Sequence, residues 1–441
     1  MLKSLYLSTR FFIAMGCIIA AFILCFSFPA LFLGIVVGMG GLFAFFIIDA
    51  FSIYRLPKGV EGKRNCPDRL SNGDLNPVSF LITNHYSFPA EIKVVEEIPF
   101  QFQRSDMIFN SKFKPGETKV FHYNLRPTER GEYEFGNINV FVSGIFGFFS
   151  RRYIVGSKKT VAVYPSFLEM KRYELLAELH RLTDYGVKHI RRIGHSTEFD
   201  QIKQYVTGDD PRTINHKASA RANQLMVNAY QDEKSQPVYC LIDKGRTMKM
   251  PFNGMTLLDY AINSTLMLVS TALNKGDKAG LITFSNTVDR IVPADKNRKQ
   301  RNVILETLYA QETNFKESDY ERLYVALRRS VTQRSLIVLF TNFETINGIK
   351  RQMKFLSRLA KDHLVLVSFF HNSEFDEILN TRPNDLFGTF RKGMAEKLSN
   401  DKQLIVKELN SRGVQTILSK PEELTIDSIN KYLEIKSRNL I

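Results

Sequence analysis

Cysteine is scarce: four in 441 residues, too few for a disulfide-stapled secreted module. Cys17 and Cys25 lie in an apolar run, Cys66 precedes a proline, and Cys240 sits in a short apolar stretch. No CxxC and no Cys/His ligand spacing occurs, which removes support for a zinc ribbon or a thioredoxin-type redox motif. GxxxxGK(S/T), a strand-linked GxGxxG and GxSxG are also missing, so nucleotide binding and a hydrolase nucleophile elbow lack their usual sequence support. Acidic residues are outnumbered, 45 Asp+Glu against 60 Lys+Arg. The resulting +15 suits an anionic membrane surface, nucleic acid or an acidic partner. With 44% hydrophobic and 24% charged residues, the composition is globular and the length suggests two or three domains.

The hydropathy is concentrated at the start. Phe11 to Phe28 and Ala30 to Ile48 contain no charge, and each is about as long as a bilayer-crossing helix. Pro29 between them would interrupt a continuous helix. The expectation is a transmembrane helical hairpin over residues 1–50. Lys3 and Arg10 before it, and Arg55, Lys58, Lys63 and Arg64 after it, place both flanks in the cytoplasm. The chain is then a multi-pass protein of the cytoplasmic (inner) membrane with its large domains in the cytoplasm. A cleaved signal peptide is the rival, but its apolar core would be shorter and would lack a second span. Gly34, Gly38, Gly40 and Gly41 permit close helix packing, within the hairpin or in self-association.

Residues 51–166 alternate apolar and polar side chains in short stretches: 77–82, 91–95, 119–123, 137–142 and 160–164. Turn formers separate them (Ser71–Asp74, Lys114–Gly116, Arg130–Glu132), a pattern that predicts an antiparallel β-sandwich. The Phe-rich stretch Gly144-Ile145-Phe146-Gly147-Phe148-Phe149, followed by Arg151 and Arg152, leaves two readings open: a lipid-headgroup contact, or sandwich core with a solvated turn.

Residues 167–236 form a linker and a polar segment, and 237–441 change period. Apolar runs at 238–242, 279–284, 336–340, 364–369 and 414–418 alternate with helical spacing at 256–274, 298–309, 320–331, 348–360, 393–411 and 421–436. That alternation predicts an α/β domain with a parallel sheet covered on both faces. Ligands on such sheets bind at the carboxyl ends of strands, where Asp243 and Asn342 fall. Asp243, Thr247, Thr313 and the pair Thr341-Asn342 supply oxygens that could ring a hard cation; alternatively, Asp243 orders its loop.

Here the chain resembles a von Willebrand factor A domain, a doubly wound sheet. Such domains carry Asp-x-Ser-x-Ser after the first strand, a loop Thr, and an Asp after the fourth strand, which hold Mg²⁺. Asp243 and Thr247 match the outer positions of the first motif, with Gly245 in place of the middle Ser. Thr313 serves as the loop Thr, and Asn342 replaces the second Asp. Gly276 to Ser285 resembles the second strand and its approach. The resemblance implies Mg²⁺ at Asp243, Thr247, Thr313 and Asn342, on a site lacking one charge and one oxygen.

The run Gly194-His195-Ser196-Thr197-Glu198-Phe199-Asp200 through Gly208-Asp209-Asp210-Pro211-Arg212 to Ala220-Arg221 resembles the signature of domain-of-unknown-function family 58, von Willebrand A-like membrane proteins. The layout of hairpin, β-domain, signature and α/β domain agrees across nearly the whole chain. The family usually has Trp where His216 stands; this chain has none. Glu198, Asp209, Asp210, Arg212 and Arg221 are the signature residues for structure or partner binding. A turn at 208–211 and carboxylate–arginine pairing would lock the segment onto the α/β core. The resemblance further implies a MoxR-type AAA+ ATPase as partner, in assembly or maturation of other proteins.

The rival readings are a stand-alone metal-dependent adhesion module and a hydrolase using Asp243 with Asp209 or Asp210. No nucleophile–base pair stands out, so the expectation is no enzyme. His180, His189 and His195 fit no zinc spacing. The basic run 189–192 could face anionic lipid, and no nucleic-acid-binding module surrounds it. Asn263-Ser264-Thr265 matches a glycosylation sequon but falls within a helix on the cytoplasmic side.

Overall fold

The structure, a computed structural model, describes residues 4–28, 32–104, 107–178, 198–207, 209, 211–231, 235–297, 299–383, 385–438 and 440. Among these residues the chain forms two compact units that divide between Tyr164 and Pro165.

The first unit begins with β1 (Leu5–Leu7) and the helices α1 (Thr9–Ser27) and α2 (Phe32–Tyr54). Of the two, α2 is long and apolar enough to cross a membrane, whereas the apolar part of α1 is shorter, Thr9–Leu24. The helix α2 runs past Ile48 for more than a turn, carrying Asp49 inside it.

The strands that follow are β2 (Val60–Asn65), β3 (Arg69–Ser71), β4 (Asn76–Asn84), β5 (Ala90–Glu96), β6 (Ile108–Phe113), β7 (Thr118–Leu125), β8 (Gly131–Phe135), β9 (Ile138–Ser143), β10 (Phe149–Val155) and β11 (Lys159–Tyr164). They build sheets ordered β1-β10-β9-β5-β6, β2-β4-β7 and β3-β11-β8. All pairs are antiparallel except β3 with β11. A period of two puts Val78, Phe80 and Ile82 of β4 into one core with Ile92, Val94, Val140, Val142, Phe135 and Val161. The sequence pattern marks β4, β5, β7, β9 and β11. It misses β2, β3, β6, β8 and β10; the expected turn at 130–132 runs into β8, and in β10 Arg151 and Arg152 stand side by side and break the alternation.

The second unit contains α3 (Phe167–Glu178), β12 (Glu198–Gln204), α4 (His216–Ala222), β13 (Met226–Gln231), β14 (Pro237–Asp243), β15 (Pro251–Phe252), β16 (Met255–Thr256) and α5 (Leu257–Asn274). Then come β17 (Lys278–Phe284), β18 (Val288–Asp295), α6 (Gln300–Tyr309), α7 (Tyr320–Ser330), β19 (Leu336–Phe340), α8 (Ile346–Asp362) and β20 (Leu364–Phe370). The unit ends with α9 (Ser373–Asn380), α10 (Leu386–Ser411), β21 (Gln415–Ser419) and α11 (Leu424–Ser437).

Its main sheet is ordered β18-β17-β14-β19-β20-β21. Every pair is parallel except β18, which is antiparallel to β17. The sequence expectation of a parallel sheet is therefore corrected at this edge, where β18 has no fully buried residue and its apolar signal is weak. Every residue of β14 is buried. Val238, Cys240 and Ile242 face a core with α5, α6 and α11, while Tyr239 and Leu241 face one with α7, α8 and α10. The helix α5 starts on a capping box in which Thr256 and Asp259 satisfy each other's backbone N–H.

Candidate functional site

The chain leaves β14 for β17 on one side and later returns to β19 on the other. The carboxyl ends of β14 and β19 thus form the topological switch point, where open α/β sheets leave a crevice. Asp243 ends β14 there, and Thr341 and Asn342 follow β19.

Asp243 is buried and held by hydroxyls from three elements. Ser318 donates to Oδ1, Thr341 donates to Oδ2 at 2.7 Å, and the Tyr320 hydroxyl lies 3.3 Å from Oδ2 and 2.8 Å from Thr341. Gly245 N also donates to Oδ1, at 2.8 Å. Burial raises the Asp243 carboxyl above its ordinary range, and the bonds from Ser318, Thr341, Gly245 and Tyr320 offset part of that rise. Burial likewise raises the Tyr320 phenol, and the neighbouring Asp243 adds to it.

Gly245 is needed for space rather than for backbone freedom. Its φ of −66° is open to any residue, but a Cβ there would run into Ser318 Oγ and lie 3.0 Å from Asp243 Oδ1. The hydroxyl that residue 245 cannot carry arrives instead from Ser318. The sequence points to Thr313 as the contributor from this loop. The structure leaves the Thr313 hydroxyl buried without a hydrogen-bond partner, and Ser318 is the loop residue that reaches Asp243. The available signal is position: Ser318 directly precedes Asp319, the N-cap of α7. Thr247 lies half-buried in the short turn Arg246–Lys249.

Asn342 is buried and accepts from Lys402 Nζ at 2.8 Å; the same ammonium donates to Phe370 O at the end of β20. Burial pushes Lys402 down to about 8, with Glu344 opposing the change. This donor set fits Mg²⁺ poorly, because such a cation favours several free hard oxygens. Both Asp243 oxygens accept hydroxyl protons, and the Asn342 oxygen already faces a cation. Among the described residues, no group of three or more His, Cys, Asp or Glu side chains converges as a metal set would.

The rim is basic, with Lys244 buried in it. Lys244 pairs with Asp289 at 2.6 Å. Arg246 is exposed, and Lys249 lies over the Phe315 ring at 5.5 Å from its centroid. Phe315 is 61% exposed and has φ +57°, a backbone state that is costly for a bulky side chain.

The polar segment forms an antiparallel hairpin of β12 and β13 that embraces α4. Asp209 accepts from Lys203 Nζ at 2.9 Å and from Val206 N at 3.0 Å. These two bonds hold its carboxyl below the ordinary range and close the turn onto its own hairpin. Glu198 begins β12, Arg212 is exposed in the turn Pro211–Thr213, and Arg221 is exposed in the last turn of α4. His216 is exposed at the start of α4, after the N-cap Asn215. Asp210, His180, His189 and His195 lie outside the described residues.

Residues 201–376 match the family model described as "Protein of unknown function DUF58". The uncharacterized protein YeaD of Bacillus subtilis (strain 168) is 22% identical over 264 residues, which are 56% of this chain and 63% of that relative. The chain thus matches less than two thirds of the relative's length. Among solved structures, the conserved hypothetical protein BatB from Bacteroides thetaiotaomicron is 15% identical, covering 46% of this chain and 100% of its own, with a TM-score of 0.34. The CARDB domain of the PF1109 protein from Pyrococcus furiosus, solved in complex with di-metal ions, is 18% identical. It covers 24% of this chain and 86% of its own, with a TM-score of 0.18.

Proposed function

We propose that the chain is a membrane-anchored protein-interaction module. Its α/β unit, a von Willebrand A-like doubly wound sheet, presents the loops around Asp243 to a protein partner. The observation that carries this reading is Phe315: an exposed aromatic, held at positive φ, under Lys249, in a loop whose Lys316 carbonyl accepts from Arg246 N. Aromatic and arginine side chains dominate the energy of protein interfaces, and strained backbone concentrates at functional sites. The basic rim favours an acidic partner surface.

Beneath the rim, Asp243 serves as the keystone of a hydrogen-bond cluster that fixes the loops, with no divalent ion required for that task. Binding is favoured over hydrolysis, because the Asp243 carboxylate is spent on hydroxyls and a backbone N–H. The helices α1 and α2 form a hairpin in the inner membrane, with the β-rich part of the first unit and the whole α/β unit on the cytoplasmic side. A MoxR-type AAA+ ATPase is the proposed partner, and the pair would act in assembly or maturation of other proteins. That identity rests on the family resemblance alone.

The test is cross-linking of the tagged full chain in native membranes, comparing wild type with Arg246→Glu and Asp243→Ala. Recovery of an AAA+ ATPase with wild type, and its loss with Arg246→Glu, supports the reading, because residue 246 is exposed and outside the buried cluster. Equal recovery with all three moves the contact away from these loops. No ATPase under any nucleotide condition removes the proposed partner.

A further inference from the structure

The stretch Gly144–Phe149 belongs to the β-rich unit, yet its bonds run to the apolar helices. Asp49, fully buried in α2, accepts from the backbone N–H of Phe146 at 2.8 Å, Phe148 at 2.8 Å and Phe149 at 3.1 Å. Gly147 N bonds to Gly144 O, and Gly144 N to Phe149 O. The carbonyls of Phe146, Gly147 and Phe148 accept from Arg10, Ser8 Oγ and Ser8 N. Backbone groups of Gly144, Phe146, Gly147, Phe148 and Phe149 are thus bonded within the protein. A turn in water has no need of this; a loop in hydrocarbon does.

The rings give the depth. Phe146 packs on Phe45 of α2 with centroids 4.9 Å apart, and Phe148 packs on Phe46 at 4.9 Å. Phe45 precedes Asp49, the first charged residue of α2, by four residues, about 6 Å along the helix. A hydrocarbon layer of about 30 Å needs roughly 20 helical residues. Counted from Phe32, these extend beyond Phe45, so Phe45 lies inside the layer, and Phe146 shares its level. Phe45, Ile145 and Phe146 are all exposed and form one continuous apolar surface with the helix.

We propose that the loop Gly144–Phe149 is itself a membrane element, immersed in the lipid beside α2 with Ile145 and Phe146 against acyl chains. This rests on the reading of α2 as a membrane span. Its occupant is bilayer lipid, by continuity with that span, and Asp49 is the group that lets a polypeptide turn sit at such a depth.

The absence of natural tryptophan makes the test clean. Single-tryptophan variants Phe146→Trp, Ile145→Trp, Phe43→Trp and Phe100→Trp of the full chain are reconstituted into phosphatidylcholine/phosphatidylglycerol vesicles. Emission is compared between ordinary lipid and lipid brominated on its acyl chains. Phe43 is an exposed residue of α2, and Phe100 is an exposed residue beyond the far end of β5. The expected result is loss of emission for residues 146, 145 and 43 in brominated vesicles, with residue 100 unchanged. Quenching at 43 without quenching at 145 and 146 overturns the proposal while leaving the span intact, and points to cover by a second copy or by water. Unquenched emission at all four positions removes the span and the proposal together. Ile145→Trp, which replaces no ring contact, guards against a Phe146→Trp variant that fails to fold.

Discussion

Gly245 and Ser318 compete for one place beside Asp243, and exchanging them should be far milder than the sum of changing each alone. In Gly245→Ser the new Cβ meets Ser318 Oγ and crowds Lys316 O at 3.2 Å, an overpacking worth about 1–3 kcal/mol. In Ser318→Gly the buried carboxylate loses one hydroxyl donor, costing about 1.5–3 kcal/mol. In the double variant the clash disappears, and the hydroxyl introduced at position 245 stands where the Ser318 hydroxyl was. Predicted loss for the pair is then about that of one single variant, a coupling of roughly 2 kcal/mol in place of additivity. Cys240 supplies the assay. It is buried in β14, and burial pushes its thiol up to about 12, so it alkylates only when the α/β unit opens. The readout is the denaturant midpoint of Cys240 labelling in the full chain. A double variant as unstable as the sum of the two singles refutes the shared-hydroxyl argument.

Asp243→Asn tests the buried carboxyl. Its folded value is raised by burial, so its contribution to stability is complete below the unfolded value of about 3.9 and is lost as pH rises through the folded value. The variant should flatten that decline, and because one acceptor oxygen becomes a donor, it should lower Cys240 protection most at low pH, where the wild-type contribution is complete. Lys402→Met tests the opposite sign. A lysine lowered to about 8 in the fold stabilises above its unfolded value of about 10.4, and that stability is lost as pH falls through 8. Wild type should therefore gain on the order of 2 kcal/mol relative to Lys402→Met between pH 8 and 10, measured by chemical denaturation. Asp49→Ala strands the three N–H groups of the 144–149 loop, at about 1–3 kcal/mol each. Labelling of Cys66, buried in the β-rich unit with its thiol pushed up to about 11, should begin at lower denaturant while Cys240 stays protected.

What is legible in the sequence is local. The run Val238–Ile242 is apolar on both faces, so the central strand and the placing of Asp243 at its end follow from composition alone. The two apolar runs at the start are equally plain, although Asp49 looks like the residue that ends a span, when it lies inside a longer helix. Ser318 and Tyr320 reach Asp243 across 75 and 77 residues of chain, and no periodicity encodes such a pairing. Lys402 lies in a helix whose neighbouring Asp401 and Lys397 suggest a solvated face, yet it is buried beside Asn342. The edge strand β18 leaves little trace in the sequence because only one of its faces is partly covered.

The Asp243 cluster also fixes an order of events in synthesis. Its hydroxyls come from α7, from the loop before it, and from Thr341, 98 residues beyond Asp243. A chain still growing toward β19 has the carboxylate but lacks part of its cradle, so Asp243 stays hydrated and ionised. Only when β19 slides in beside β14 does water leave. Contacts of such wide separation are slow to form, so the cradle around Asp243 is complete only once β19 has joined β14. The loops around Asp243 are thus ordered by a strand that is made almost a hundred residues later.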